Sequence, residues 1–369
     1  MELMKNGLGS KAIERIAKAF IAVCPEFDVE TFQEKATGNL ELLELKERVE
    51  HIIKALSHSL PGDYLNHVEY FNKIKPVWDH GDPQDPLACF AAWPITDYIA
   101  KHGLDYPEQS LDTLKYLTSL FSSEFAIRPF ILKYPELCQE RFSTWITDED
   151  EHVRRLVSEG TRPRLPWGIR LKPFVENPAI NLPWLDELYK DESLYVRRSV
   201  ANHLNDIAKD HPDLVADTCE RWLNPDCKNT TWVIKHAART LIKEGHSKAM
   251  KLQGFTENPK VNLSNLALTE EKIHLGGSLS FSFVIDSKSK TNQKLVVDFA
   301  IHFMKANGKQ KRKMFKLKSF DLASKQNLVL EKQFSFKPIT TRKYYPGDHH
   351  LEIFVNGKPH QKVPFIVCE

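Results

Sequence analysis

The sequence has few cysteines and no long hydrophobic run. Six cysteines are scattered through 369 residues, and no two of them form a C-x-x-C pair. This spacing indicates neither a zinc site nor a disulfide framework, and we expect reduced, structural thiols. No segment is apolar for long enough to span a membrane, and the first residues do not have the apolar stretch and cleavage site of a signal peptide. We therefore expect a cytoplasmic protein.

Several familiar catalytic signatures are also missing. The sequence contains no Walker loop, no G-x-S-x-G elbow, no H-E-x-x-H motif and no deaminase H-x-E with P-C-x-x-C. If the protein is an enzyme, its chemistry must come from carboxylates, aromatic residues and arginines on helices. We predict that it uses no metal and no cofactor.

Charge is unevenly distributed along the chain. The formal net charge is only +2, but residues 261–369 hold 18 basic and 9 acidic residues, which leaves residues 1–260 acidic overall. A basic module fused to an acidic one is typical of a polyanion binder, because neutralised phosphates release counterions. A solvated basic surface without a partner would have the same composition, and charge alone does not separate the two.

The first 255 residues have helical periodicity and contain a repeat. Three segments share a valine followed by basic residues and an apolar face: HVRRLVSEGTR, YVRRSVANHLNDIAKDHP and WVIKHAARTLIKEGH. Their anchors Val153, Val196 and Val233 are 43 and 37 residues apart. This period is close to that of HEAT and armadillo repeats, whose helix pairs stack into a curved solenoid.

From about residue 271 the pattern changes to the alternation of β-strands. Six segments rich in β-branched and aromatic residues are separated by Gly-Gly, Asn-Gly and Pro-Gly turns. We predict a multidomain α plus β protein, with an all-α HEAT-like solenoid over residues 1–260 and a small all-β sandwich over residues 261–369. The polar stretch 258–269 marks the boundary between them.

Glu124 is the most unusual acidic residue of the helical region. Taken as one helix, the segment DTLKYLTSLFSSEFAIRPF places Glu124 inside its apolar stripe. A carboxylate there needs a partner or a function. The structural alternative is an ion pair with Arg128, four residues on, or a hydrogen bond to a neighbouring helix.

The repeat helices bring further acids to one side. Arg155 and Glu159 lie four residues apart, away from the apolar face of their helix. Aligning the two V-R-R motifs sets Arg198 opposite Arg155, and consecutive repeats then aim Glu159 and Asp206 at the same side of the solenoid. Ordinary exposed Arg–Glu pairs would give the same spacing.

The loop TRPRLPWGIRLK and its surroundings are basic. Six basic residues fall between positions 151 and 172: Arg154, Arg155, Arg162, Arg164, Arg170 and Lys172. Trp167 lies among them, and this combination suits a phosphate backbone with a sugar or base to stack on. A tryptophan that caps the core between repeats is the competing interpretation.

These segments resemble the AlkC family of DNA alkylation repair glycosylases, which are relatives of the AlkD-type HEAT-like enzymes. The similarity covers essentially the whole chain and is carried by PLACFAAWPITDYIAKHG, SSEFAIRPF, VRRLVSEGTRPRLPWG and VRRSVANHLNDIAKDHP. The helix-hairpin-helix signature of other glycosylases is absent. The resemblance implies an immunoglobulin-like C-terminal domain and double-stranded DNA with alkylated bases as the partner, bound by a monomer.

The resemblance also implies site residues. Glu124, Glu159 and Asp206 match the acids placed beside the deoxyribose of the lesion. The expected DNA contacts are Arg155 and Trp167, joined by Arg154, Arg162, Arg164, Arg198, Lys311, Arg312 and Lys313. The implied reaction is hydrolysis of the N-glycosidic bond of cationic bases such as 3-methyladenine and 3-methylcytosine, without base flipping. The alternatives are a non-catalytic HEAT scaffold and a protein that recognises lesions without cleaving them.

Overall fold

The computed structural model describes residues 3–339 and 342–369, and in these residues sixteen α-helices precede eight β-strands. The helices are α1 (Ser10–Val23), α2 (Val29–Thr37), α3 (Leu45–Ser59), α4 (Tyr64–Phe71), α5 (Trp93–His102), α6 (Pro107–Leu117), α7 (Arg128–Lys133), α8 (Pro135–Trp145), α9 (Glu151–Gly160), α10 (Lys172–Glu176), α11 (Leu182–Leu188), α12 (Leu194–Ile207), α13 (Pro212–Trp222), α14 (Lys228–Ala237), α15 (Arg239–Lys243) and α16 (Ser247–Leu252). The strands are β1 (Val261–Leu268), β2 (Lys272–His274), β3 (Ser278–Ser287), β4 (Gln293–Met304), β5 (Gln310–Leu322), β6 (Asn327–Ser335), β7 (Gly347–Val355) and β8 (Lys358–Cys368). The predicted fold class is confirmed.

The three anchor valines of the repeat lie in α9, α12 and α14, and all three are buried. Helix α9 begins after Asp150, whose carboxylate accepts a hydrogen bond from the backbone N–H of His152 and so caps the first turn. Helices α9 and α12 pack against each other, with the hydroxyl oxygens of Ser199 and Ser158 2.9 Å apart. Small polar residues at this contact let the two helices approach closely.

The helix predicted around Glu124 is not continuous. Helix α6 ends at Leu117, and Glu124 lies in the turns that precede α7. Two local hydrogen bonds replace the helical pattern: the Ser123 hydroxyl donates to the carbonyl of Leu114, and the Ser123 N–H donates to the hydroxyl of Thr118. Serine and threonine side chains compete with the backbone in this way, and they end the helix.

The strands form a sandwich of two sheets. One sheet has the order β1-β3-β6, and the other has the order β2-β8-β7-β4-β5. All pairs of neighbouring strands are antiparallel except β2 with β8. Burial alternates strictly along β3, and its inward residues pack against those of β4 in one aromatic-rich core. Alternation of this kind allowed β3 to β8 to be predicted, whereas β1 and β2 were not.

The described residues group into two compact units, Met1–Ile207 and Ala208–Glu369. The change from helices to strands falls between α16 and β1, close to the expected boundary at residue 260, but the last four helices belong to the same compact unit as the strands. The division into two domains at residue 260 stays a prediction. In the described part of the chain, no helix is long and apolar enough to cross a membrane.

Candidate active site

Five charged side chains form a continuous chain of contacts in the first unit, and Arg155 is the first link. Its Nη1 donates to Oε2 of Glu124 over 2.8 Å and to the Ser122 hydroxyl over 2.8 Å, while its Nη2 lies 3.6 Å from Oε1 of Glu159. Ser122 also donates to Glu124, over 2.9 Å. Arg155 on α9 therefore connects an acid of the α6–α7 turn to an acid of its own helix.

Arg162 is the second link. Its Nη1 donates to Oε1 of Glu159 over 2.6 Å, and its Nε donates to Oδ2 of Asp206 over 2.8 Å. The acids Glu124, Glu159 and Asp206 are thus brought together through two arginines. Of the two structural alternatives for Glu124, the ion pair with Arg128 is wrong, and the hydrogen bond to a neighbouring helix is observed, because the carboxylate accepts from Arg155 of α9.

The cluster is largely removed from solvent. The exposed fraction of the side chain is 14% for Glu124, 7% for Glu159 and 3% for Asp206. The alternative of ordinary surface pairs is therefore wrong. In a site of low dielectric, charges act on one another and on a ligand more strongly than they do in water.

Two of the acids have pKa values displaced in opposite directions. Burial raises the pKa of Glu124 above its ordinary value, and the nearby Glu159 adds to this effect against the pull of Arg155. Burial alone would also raise the pKa of Glu159, but Arg155 and Arg162 outweigh it and hold that pKa below its ordinary value. Two carboxyl groups whose pKa values are shifted in opposite directions are suited to different roles in one reaction.

Residues of α12 and its flanks hold the cluster in place. Ser199 donates to Oε2 of Glu159 over 2.5 Å, and the guanidinium of Arg155 stacks on the ring of Tyr195 at 4.4 Å. His203 is fully buried, and its Nδ1 lies 2.9 Å from the carbonyl of Ser158. Burial lowers the pKa of His203 to about 4, so this histidine is neutral at physiological pH and donates its proton to that carbonyl.

Trp167 lies in a loop with a constrained backbone. Its φ is +64°, in the left-handed region, and 53% of the residue is exposed, so the interpretation as a core cap is wrong. The buried Arg128 anchors the loop, because its Nε donates to the carbonyl of Ile169 and its Nη1 donates to that of Gly160 at the end of α9. Lys46 donates to the carbonyl of Trp167. The loop is thereby fixed with an aromatic ring turned outward.

An open cleft of about 290 Å³ connects these elements. Glu124, Glu159 and Arg162 line it together with Trp167. Its other residues are apolar: Phe90, Trp93, Phe121, Phe125, Leu165 and Pro166. The carboxylates therefore border an aromatic surface that is open to a ligand from outside.

The other arginines predicted as DNA contacts lie in different environments. Arg154 forms a two-contact ion pair with Asp191 and donates to the carbonyls of Asp148 and Glu149, and Arg197 makes the equivalent backbone contacts one repeat later. These contacts give the first arginine of each V-R-R motif a structural role, and a DNA contact of Arg154 stays a prediction. Arg164 is half-buried and Arg198 is exposed.

The predicted basic contacts of the sandwich lie on β5, at one edge of the five-stranded sheet. Lys311, Arg312 and Lys313 are all exposed. Arg312 pairs with Glu244 over 3.2 Å. Successive residues alternate between the faces of the sheet, so Lys311 and Lys313 share one face and Arg312 lies on the other.

Sequence reasoning did not assign site roles to Arg128, Tyr195 and Ser199. Each acts through a contact with a residue distant in the chain, which a helical wheel does not reveal. One signal was present for Tyr195: the residue before V-R-R is His152 in one repeat and Tyr195 in the next, and their rings contact each other at 5.5 Å.

A family model, a full-length relative and a solved structure match this chain. Residues 262–369 match the family model described as "Uncharacterised protein YhaZ, C-terminal Ig-like domain". The whole chain is 36% identical to YhaZ of Bacillus subtilis, and the match covers 99% of that protein. Among solved structures, Pseudomonas fluorescens alkylpurine DNA glycosylase AlkC bound to DNA containing an abasic site analog is 36% identical and superposes over the full length of both chains with a TM-score of 0.91.

Proposed function

The chain belongs to the family that includes YhaZ and the alkylpurine DNA glycosylase AlkC, and we propose that it is a DNA glycosylase of base excision repair. Its substrate is double-stranded DNA that contains cationic alkylated bases, such as 3-methyladenine and 3-methylcytosine. It hydrolyses the N-glycosidic bond of the lesion and leaves an abasic site.

The demands of this reaction suit the residue types of the cluster. Alkylation of a ring nitrogen makes the base cationic, so the base leaves as a neutral molecule when the bond between C1′ and nitrogen breaks with its electron pair. Water then bonds to C1′ and loses a proton. The leaving group needs no strong general acid, and the main task is to stabilise the oxocarbenium-like sugar.

The observation that carries the proposal is the joined cluster of Glu124, Glu159 and Asp206 beside one open cleft. A preorganised group that stabilises charge in the transition state contributes on the order of 3 kcal/mol. Negative side chains also favour a cationic base over a neutral one. Two of these acids, Glu124 and Glu159, line the cleft itself, which a non-catalytic scaffold does not explain.

The contacts of the three acids support separate roles. Both oxygens of Glu159 are held by protein partners, which suits a fixed electrostatic stabiliser. Asp206 is held by Arg162 and has the same role. Among the described residues, Oε1 of Glu124 has no hydrogen-bond donor, and Glu124 lines the cleft. We therefore assign the positioning of the attacking water to Glu124.

Arg155 and Arg162 act mainly as positioning residues for these acids, because their guanidinium groups are already engaged with carboxylates. Trp167 contacts the exposed sugar or fills the gap in the kinked duplex, and the base does not enter an enclosed pocket. Lys311 and Lys313 bind phosphates of the DNA, and Arg164 and Arg198 remain candidate phosphate contacts.

A base-release assay tests the proposal. Methylated duplex DNA is incubated with the purified full chain, and released bases are separated by chromatography. We expect release of 3-methylated bases by the wild type and a large loss in Glu159→Gln. No release by the wild type would contradict the proposal. Tight lesion binding without turnover in any variant would support a recognition protein instead.

A further inference from the structure

A larger cleft, of about 630 Å³, lies within the unit Ala208–Glu369. Residues of α14, α15 and α16 form one side of it, and β4 and β5 form the other. Its floor is apolar and includes the buried Ile234 and Val296. Trp232 and Phe255 also line it, and the ring of Trp232 is stacked on His236 at 5.1 Å with 9° between the planes. The volume and the aromatic walls suit a small planar ligand.

Asp298 of β4 is a buried acid of this cleft and is only 2% exposed. In the described part of the chain its Oδ2 has no hydrogen-bond donor, and neither Lys243 nor Lys316 comes close enough to form an ion pair with it. Burial raises the pKa of Asp298 to about 6, so the carboxylate is still mostly ionised at neutral pH. A buried carboxylate without donors is costly, and its place in a cleft indicates that a ligand supplies them.

A donor of the same cleft also lacks a partner. The side-chain Nε2 of Gln253 is buried and has no acceptor among the described residues. Four lysines surround these groups: Lys235, Lys243, Lys294 and Lys316. All four are exposed; Lys294 donates to the carbonyl of Gln253, and the other three can meet an anionic group at the entrance. The cleft thus combines an unpaired acceptor, an unpaired donor, an aromatic wall and a positive rim.

We propose that this cleft binds a guanine nucleotide, that is, a phosphorylated planar heterocycle with two adjacent N–H donors beside one acceptor. The carboxylate of Asp298 accepts from N1–H and the N2 amino group, and Gln253 donates to O6. The base stacks on Trp232, and the phosphate meets the rim lysines. The inference is independent of the proposed glycosylase activity, because it uses other residues and needs no lesion.

Isothermal titration calorimetry of the full chain with guanosine 5′-monophosphate tests the site directly. We expect saturable binding, with at least a tenfold loss for guanosine, which lacks the phosphate. A similar loss is expected for adenosine 5′-monophosphate, whose edge presents an acceptor in place of the N1–H donor. Equal binding of the guanine and adenine nucleotides, or no binding of either, would overturn the assignment.

Variants locate the binding in the cleft. Asp298→Asn and Lys316→Glu should each weaken binding at least tenfold. Lys318→Glu is the matched control, because it makes the same charge change on β5 at a residue paired with Val297 on the opposite face of the sheet. Lys318→Glu should bind as the wild type does. Undiminished binding in Asp298→Asn would place the nucleotide elsewhere and refute the proposal.

The guanine could belong to a free nucleotide or to a DNA strand. A second binding experiment, with DNA, distinguishes the two sources. Undamaged duplexes that end in one unpaired guanine or one unpaired adenine are compared. A preference for guanine that disappears in Asp298→Asn assigns the cleft to an unpaired base of DNA. Equal affinity for both duplexes, together with binding of the mononucleotide, assigns it to a free nucleotide. Base release from methylated DNA should be unchanged in Asp298→Asn, so each proposal can fail without the other.

Discussion

Arg162 places two of its nitrogens, Nε and Nη2, 2.8 Å from the same oxygen of Asp206. Its third nitrogen donates to Glu159, so one guanidinium connects the loop after α9 to the last turns of α12. The arginine therefore fixes the separation of two acids that come from consecutive repeats.

Replacing Asp206 with asparagine should slow base release by about 100-fold or more, because a negative charge is lost beside the positive sugar while the shape is kept. Single-turnover rates on methylated duplex DNA measure the effect. Asp217→Asn is the control, since it removes an exposed carboxylate that pairs with Lys248. Equal rates for the two variants would contradict a role for Asp206 in catalysis.

Base release should fall toward acid pH, with a midpoint above the ordinary range of a glutamate. Glu124 must be ionised to orient water, and its raised pKa means that it takes up a proton as the pH decreases through that value. Glu159, whose pKa is lowered, stays ionised over the same range. In Glu124→Gln the residual rate should lose this acid limb. An identical pH profile in that variant would assign the limb to another group.

Trp167→Ala should weaken binding to a duplex with an abasic-site analogue by about tenfold, which corresponds to one lost stacking contact. The melting temperature should hardly change, because the side chain is largely exposed. Tyr106→Ala removes another exposed aromatic ring of the same unit and serves as the comparison. If both substitutions weaken binding equally, Trp167 has no specific contact with the lesion.

The double variant Lys311→Glu with Lys313→Glu should reduce the salt dependence of DNA binding. Each lost phosphate contact lowers the slope of log K against log salt by about 0.9. Binding measured by fluorescence anisotropy between 50 and 200 mM salt, a range in which such slopes are readily seen, gives the value. Lys11→Glu with Lys35→Glu makes the same charge change at exposed positions of α1 and α2. Matching slopes in the two double variants would exclude a local contact at β5.

Gly357→Ala should destabilise the fold far more than Gly308→Ala. Both glycines have positive φ values, of 75° and 73°. A Cβ atom at Gly357 would overlap the backbone of Gly245, whereas a Cβ at Gly308 meets nothing within 4 Å. We expect a loss of about 1 kcal/mol for Gly308→Ala, from the backbone conformation alone, and about 3 kcal/mol or more for Gly357→Ala. Urea unfolding measures both, and similar losses would show that the backbone contact is unimportant.

The strands of the sandwich could be predicted wherever burial alternates, as along β3. Strand β1 was missed because its alternation is interrupted: the register shifts between Ser264 and Ala267, and Asn265 between them has a positive φ. The end of α6 was missed for a different reason. The periodicity of apolar residues continues past Leu117, and the helix ends where Ser123 forms hydrogen bonds with the Thr118 hydroxyl and the Leu114 carbonyl.

Glu159 and Asp206 could be named from the sequence because the helical repeat aims them at one side, and Glu124 because it lies among apolar residues. The family resemblance marks the same three positions. The partners of these acids could not be named. Helical spacing suggested Arg128 as the partner of Glu124, but Arg128 anchors the Trp167 loop and Arg155 takes its place. Local spacing does not predict which of the two arginines pairs with Glu124, because the result depends on how the turn folds over α9.

Gly245 and Gly357 join the loop between α15 and α16 to the hairpin turn between β7 and β8. Their contact is made by backbone atoms, with no side chain between them. The last four helices, α13 to α16, thus support the sandwich. A fragment that begins at residue 261 would lose that support and expose an apolar surface to solvent. A C-terminal fragment intended to fold alone should therefore begin near residue 208 and include these helices.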